Sequence, residues 1–212
     1  MATLIARNTR LEVGTTLGTP VTVTAVTKAT EGVVTAAAHG FANGDAVVFT
    51  ATGMVELDGQ IGRVASTATN TFNIENFDTT LAGTFTAGTV TKVTAWATFA
   101  KAQSVEAGST TADRRDATVL LDSAKQYVYG ASDSPEITVN GLSDLNSASV
   151  KLVANAAKTN ASLNFRLTFN GQAESRLFRG TTTRPGESIT VDQLVTSSFS
   201  ISQQGERMAY AS

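Results

Sequence analysis

The chain has no cysteine, one histidine, one tryptophan and three prolines in 212 residues. Without cysteine there is no disulfide framework, no thiolate nucleophile and no zinc–cysteine site. A single histidine, His39, excludes metal sites built on two or more imidazoles. Any Ser-His-acid triad would have to use His39, yet no Gly-x-Ser-x-Gly elbow occurs in the sequence. In Ala38-His39-Gly40-Phe41 it reads as a side chain hydrogen-bonded locally beside a turn. Phosphate-cradling motifs, Gly-x-x-x-x-Gly-Lys-Ser/Thr or a strand-linked Gly-x-Gly-x-x-Gly, are also missing. No run approaches the ~18 apolar residues that span a bilayer. Met1 to Thr15 carry Arg7, Arg10 and Glu12 with no apolar core of a secretion signal. The expectation is a chain kept in a cytoplasm unless it leaves as part of an assembly. Sixteen Lys and Arg against eighteen Asp and Glu give a net charge of −2, so no basic field holds nucleic acid.

What the chain does have is threonine and glycine. Thr supplies 34 residues, 23 of them in the first hundred, beside 17 Gly. This is a β-rich composition turned by Gly, Asn and Asp. Two stretches nearly repeat: Val21-Thr-Val-Thr-Ala-Val-Thr-Lys28 and Thr89-Val-Thr-Lys-Val-Thr-Ala-Trp96. Between them short apolar runs, Val33-Val34, Val47 to Phe49, Ile61 to Val64 and Phe72 to Ile74, alternate with tight turns at Asn43-Gly44, Asp58-Gly59 and Asn70-Thr71. The economical division is one β domain, residues 1–28 and 89–212, interrupted by a small inserted β domain, 29–88. Insertion is tolerated where entry and exit lie close together at a surface.

Leu4 to Val13 reads as a first strand and Gly14 to Pro20 as a connection. Ile137 to Val139 alternates as a strand. A helix of about fourteen residues is expected after it, capped by Ser143 with Asp144 in its first turn. Its apolar stripe would be Leu145, Ala148, Leu152 and Ala156, with Ser149 at the border. Leu163, Phe165, Leu167 and Phe169 alternate with Asn164, Arg166, Thr168 and Asn170, the pattern of a half-buried strand. Asn170-Gly171 turns it into a partner around Arg176 to Phe178. Val195, Ser197, Phe199 and Ile201 form a last strand before Gly205. The fold class is mainly β: an antiparallel β-sandwich or barrel with one α-helix packed on a face, plus the small inserted β domain.

Ser104 to Leu121 reads as a long polar loop, with strand-like flanks at Trp96 to Phe99 and Ala117 to Leu121. Connections this long are usually functional or disordered. Glu106, Asp113, Arg114, Arg115 and Asp116 give it alternating charge. The two acids beside Arg114-Arg115 cancel a phosphate-binding patch, leaving a solvated loop or a contact to another subunit. Fourteen aromatics in all give few platforms for a sugar, against a glycosidase carboxylate pair. Asn160-Ala161-Ser162 fits a glycosylation sequon that carries no weight without a secretion signal. No catalytic, cofactor-binding or metal-binding residue is assigned.

Ala6-Arg-Asn-Thr-Arg-Leu-Glu-Val-Gly14, the strand–helix–strand unit Ile137 to Phe169 and the closing strand Val195 to Gly205 together resemble the tail tube proteins of long-tailed bacteriophages. The likeness covers about residues 1–20 and 89–212 and lies in overall order more than in one motif. The insert, with Ala38 to Phe49, Gly53-Met54 and Leu57-Asp-Gly59, resembles a small β module inserted in phage proteins and known from ubiquitin-activating enzymes. The resemblance implies a non-enzymatic virion protein whose six-membered rings stack into a hollow tube. Tip, terminator and tape-measure proteins would be its partners, and genomic DNA would pass without specific binding. It implies no cofactor, no membrane and assembly in the host bacterium. A long loop in such proteins commonly reaches the next ring, and its counterpart here is Ser104 to Leu121. The insert would face outward, since it would block a bore. The alternative is a surface-displayed β module that recognises a host glycan or protein through the insert.

Overall fold

A computed structural model describes residues 9–109, 112–121, 123–132, 134–169 and 174–211. The chain runs through β1 (Arg10–Leu17), β2 (Val21–Val23), β3 (Ala25–Val26), β4 (Val33–Thr35), β5 (Ala46–Thr52), β6 (Ile61–Ala65) and β7 (Thr71–Ile74). It continues through β8 (Ala87–Thr98), β9 (Ala102–Ala107), β10 (Ala112–Asp116), β11 (Tyr127–Ser132) and β12 (Glu136–Leu142). After α1 (Ala148–Thr159) come β13 (Leu163–Phe169), β14 (Glu174–Thr182), β15 (Gly186–Ser188) and β16 (Thr196–Ala211). The class is as expected: antiparallel pairing throughout, with one helix among the described residues.

One curled sheet follows the order β3-β4-β7-β6-β5-β8-β1-β13-β14-β16-β12-β9. The two Val/Thr repeats pair with each other, Val21 opposite Val90 and Val23 opposite Gly88. The four apolar runs between them become β4 to β7.

Curling gives two cores. In one, Leu11, Val13, Phe165, Leu167 and Phe178 face Ile137, Val139, Phe199 and Ile201. Phe165 stacks on Phe178 with centroids 5.4 Å apart, directly across the β13–β14 register. The other core joins Val34, Val47, Phe49, Ile61 and Phe72 to Val90, Leu177, Met208 and Tyr210. Strand β14 therefore feeds both cores, Phe178 inward and Leu177 toward the segment 29–88, because successive side chains point to opposite faces. Strand β16 also serves both, Phe199 and Ile201 early, Met208 and Tyr210 late. Gly205 marks the changeover with φ of 70°, where a Cβ would collide with the Gln60 side chain.

Several boundaries differ from expectation. Gly14 to Leu17 continue β1 through a bulge against β8 instead of forming a connection. Strand β16 runs on past Gly205, since the 29–88 segment covers its far half. Asn164 is buried, lying across from Gly14 whose own neighbour is Val93, so that face of β13 is covered. Leu4 to Asn8 and the Asn170-Gly171 turn lie outside the described residues.

The helix is shorter and rotated. Its N-cap is Ser147, whose Oγ accepts from the Val150 amide at 3.3 Å, in place of Ser143. Ser143 instead donates its amide to the Val195 carbonyl, and Asp144 sits 3.9 Å from Lys101. The buried face is Ser149, Val153 and Ala156, while Leu145 is exposed. Ser149 tolerates burial because its hydroxyl donates to the Thr98 carbonyl at 3.2 Å. Asn160, in the left-handed conformation, ends the helix, and Ala161 N–H closes back on Ala156.

Candidate assembly surface

Ser104 to Leu121 is mostly not a loop. Residues 102–107 form β9, paired with β12 with Val105 opposite Val139. Residues 112–116 form β10, which pairs with β11 as a separate two-stranded ribbon. Ala117 to Leu121, expected as a strand flank, lies in the segment joining the two ribbon strands. The polar alternation that suggested a loop is the alternation of a ribbon with two solvent-facing sides.

The five charged residues divide accordingly. Glu106 lies on β9 opposite Thr138 and accepts from Ser104 Oγ at 3.3 Å. Asp113, Arg114, Arg115 and Asp116 stand together on β10. Arg115 Nε donates to Asp113 Oδ2 at 3.0 Å, on the face that also carries Val128. On the other face the Arg114 guanidinium lies 3.9 Å from the centroid of the Tyr127 ring. Asp116 accepts from the Thr118 hydroxyl and, at 2.9 Å, from the Thr118 amide. The Thr118 hydroxyl and then the amide hold the Asp116 carboxyl below its ordinary value of 3.8.

Sequence reasoning missed β11. Its signal is the Tyr127-Val-Tyr129 run before Gly130, dense in strand formers. Val128 and Tyr129 are 60% and 65% exposed, on opposite faces of the ribbon. At the tip Val119, Leu120 and Leu121 are also exposed. Both faces and the tip of this ribbon thus present apolar surface to solvent.

Elsewhere the chemistry is structural. His39 Nδ1 accepts from the Phe41 amide at 3.0 Å, which leaves Nε2 as the donor to the Ala68 carbonyl at 2.8 Å. The ring packs between Phe41 and Phe72, each 5.1 Å away, and ties two turns together. Between β1 and β9 the curled sheet leaves a mouth of about 910 Å³, lined by Leu11, Phe99, Val105, Phe169, Arg176 and Arg207 among others. Among the described residues no carboxylate lines this mouth. Burial, then the charge of Arg176, lowers the pKa of Arg207 there. Two other carboxyls held low, Glu56 by the Gly83 amide and Asp78 by the Thr80 hydroxyl, are surface turn caps. Their shifts run opposite to those of a general acid. Among the described residues no cluster of three or more His, Asp or Glu is placed to hold a metal.

No curated protein matches the chain. The family model described as phage tail tube protein matches residues 52–212, well over half of the sequence and the whole strand–helix–strand unit with the ribbon before it. By that match the chain belongs to the phage tail tube protein family and is a structural component of a virion.

Proposed function

We infer that this chain is the repeating subunit of a hollow tail tube, six copies to a ring and ring upon ring, through which a phage genome is delivered. One observation carries the reading beyond the family: the β10–β11 ribbon stands apart from the main sheet with both faces exposed. A two-stranded ribbon is marginal in water by itself and needs a surface to pack on. The neighbouring copy supplies that surface. Among the described residues strand β9 ends the sheet with an open edge, and closing identical copies into a ring satisfies such edges by symmetry.

In this reading residues 1–28 and 89–212 form the wall. The 29–88 segment faces outward, with a fold like the small module of ubiquitin-activating enzymes. Tip, terminator and tape-measure proteins meet the ends of the tube. DNA passes without specific contacts, consistent with a net charge of −2. Rings form in the host cytoplasm and require no cofactor.

The test is the double reversal Arg114→Glu with Arg115→Glu. One exposed pair contributes only ~0.2–1 kcal/mol, but a ring repeats the contact in every subunit. Electron microscopy should show loss of tubes with thermal unfolding of the monomer unchanged. Unaltered polymerisation would make the ribbon a bystander.

A second reading, recognition of a host glycan or protein, has one observation on its side. Val55 and Leu81 stand exposed on adjoining loops of the 29–88 segment, joined where the Gly83 amide donates to Glu56 at 3.0 Å. Glycan-array binding that vanishes in Val55→Ser/Leu81→Ser, with tubes intact, would add adhesion to the tube role.

A further inference from the structure

We propose that the ribbon tip of one copy docks on an apolar loop surface at the far end of strand β12 in the next copy along the tube. The inference rests on the tube reading and identifies the surface that receives the ribbon. That surface is formed by Leu145, Ile189, Val191 and Leu194, all exposed, with Val191 at 87%. The Ser143 amide donates to the Val195 carbonyl at 2.9 Å, and the Ser143 hydroxyl donates to Glu187, which holds the two loops side by side. Gln193 N–H turns back on the Thr190 carbonyl, and Asp192 sits at φ of 61°, so the loop carrying Val191 is shaped by its own turn.

Position in the fold supplies the partner. Strand β12 meets β9 at Ile137 opposite Ala107, the end from which the ribbon departs. Its other end, Leu142 opposite Thr196, leads directly into the Leu145 and Val191 loops. A strand of seven residues separates the two by about 20 Å at ~3.4 Å per residue. One apolar surface thus leaves each end of the same strand, and the two surfaces differ. Two different surfaces on opposite ends make a head-to-tail contact, which closes into a ring where its rotation closes and runs on as an open stack where it does not. Ribbon and loops at opposite ends of one strand fit the stack. A few side chains on each side fall below the roughly 800 Å² per partner of a stable two-body complex. The contact therefore holds only when a ring presents it in several copies at once, and free subunits remain unstacked.

The natural absence of cysteine makes a direct test available. Two single-cysteine chains, Leu120→Cys and Val191→Cys, are mixed, assembled on tail tips and oxidised. A disulfide requires Cα atoms within about 4.4–6.8 Å. The expected result is a linked dimer from the mixture in the tube fraction, absent from either chain alone and lost when Leu81→Cys replaces Val191→Cys. Tubes that form without this link, or that link Leu120→Cys to itself, overturn the proposal while leaving the tube reading intact. If the unsubstituted chain forms no tube under the same conditions, the tube reading falls and this contact falls with it.

Discussion

Phe165 is fully buried and stacked on Phe178, so its removal leaves a cavity in the centre of the barrel core. Phe165→Ala should cost about 3–5 kcal/mol of monomer stability, read as a lower denaturant midpoint. A loss under 1 kcal/mol would mean that this core is not closed as described. Asp116 offers a check of a different kind. Its folded pKa is depressed by Thr118, so the stabilisation is present above the unfolded value and disappears as pH falls through the folded one. Acidification below the ordinary value of 3.8 should therefore loosen the ribbon turn, seen as faster amide exchange at Thr118 in the wild type. In Asp116→Asn that pH dependence should be missing. The solitary histidine belongs to the same scale: both its nitrogens are engaged by backbone, which is the work of a turn brace.

At the scale of elements, strands were legible wherever one face was wet and the other dry. Phe165 and Leu167 on β13, and Phe199 and Ile201 on β16, lie in the core as alternation predicts. Legibility failed where a strand has two dry faces or two wet ones. Asn164 is covered beside Gly14 and Val93, and the far half of β16 by the 29–88 segment, long-range neighbours that no local pattern records. The ribbon is wet on both sides, so its charges resembled those of a loop. The helix start was misplaced because two serines compete for it, and Ser143 is drawn off by long-range bonds to Val195 and Glu187. The caps can be separated by substitution. Ser147→Ala should cost about 0.5–2 kcal/mol through loss of the cap, measured by thermal or chemical unfolding. Ser143→Ala should leave helix content by circular dichroism unchanged. A larger loss of helix from Ser143→Ala than from Ser147→Ala would restore the earlier helix start.

For the whole molecule, the segment 29–88 is tied to the rest of the chain at several points. The Arg63 amide donates to the Tyr210 hydroxyl at 3.1 Å, Asn76 Nδ2 to the Ala209 carbonyl at 3.1 Å, and Arg179 Nη1 to the Gly59 carbonyl at 3.1 Å. Leu177, Met208 and Tyr210 share its core. The sequence carries the two Val/Thr runs that pair across the segment, whereas its packing on β14 and β16 is visible only in the fold. In the proposed tube, shape and repetition do the work: among the described residues β9 ends the sheet, an exposed ribbon leaves one end of β12 and exposed Leu145, Val191 and Leu194 lie at the other.

The most direct measurement is an end-on average of the assembled protein by electron microscopy. The account predicts rings of six subunits around an open channel, with extra density from residues 29–88 on the outer rim. A species that stays monomeric at every concentration and on tail tips, or a filament without a channel, would contradict it.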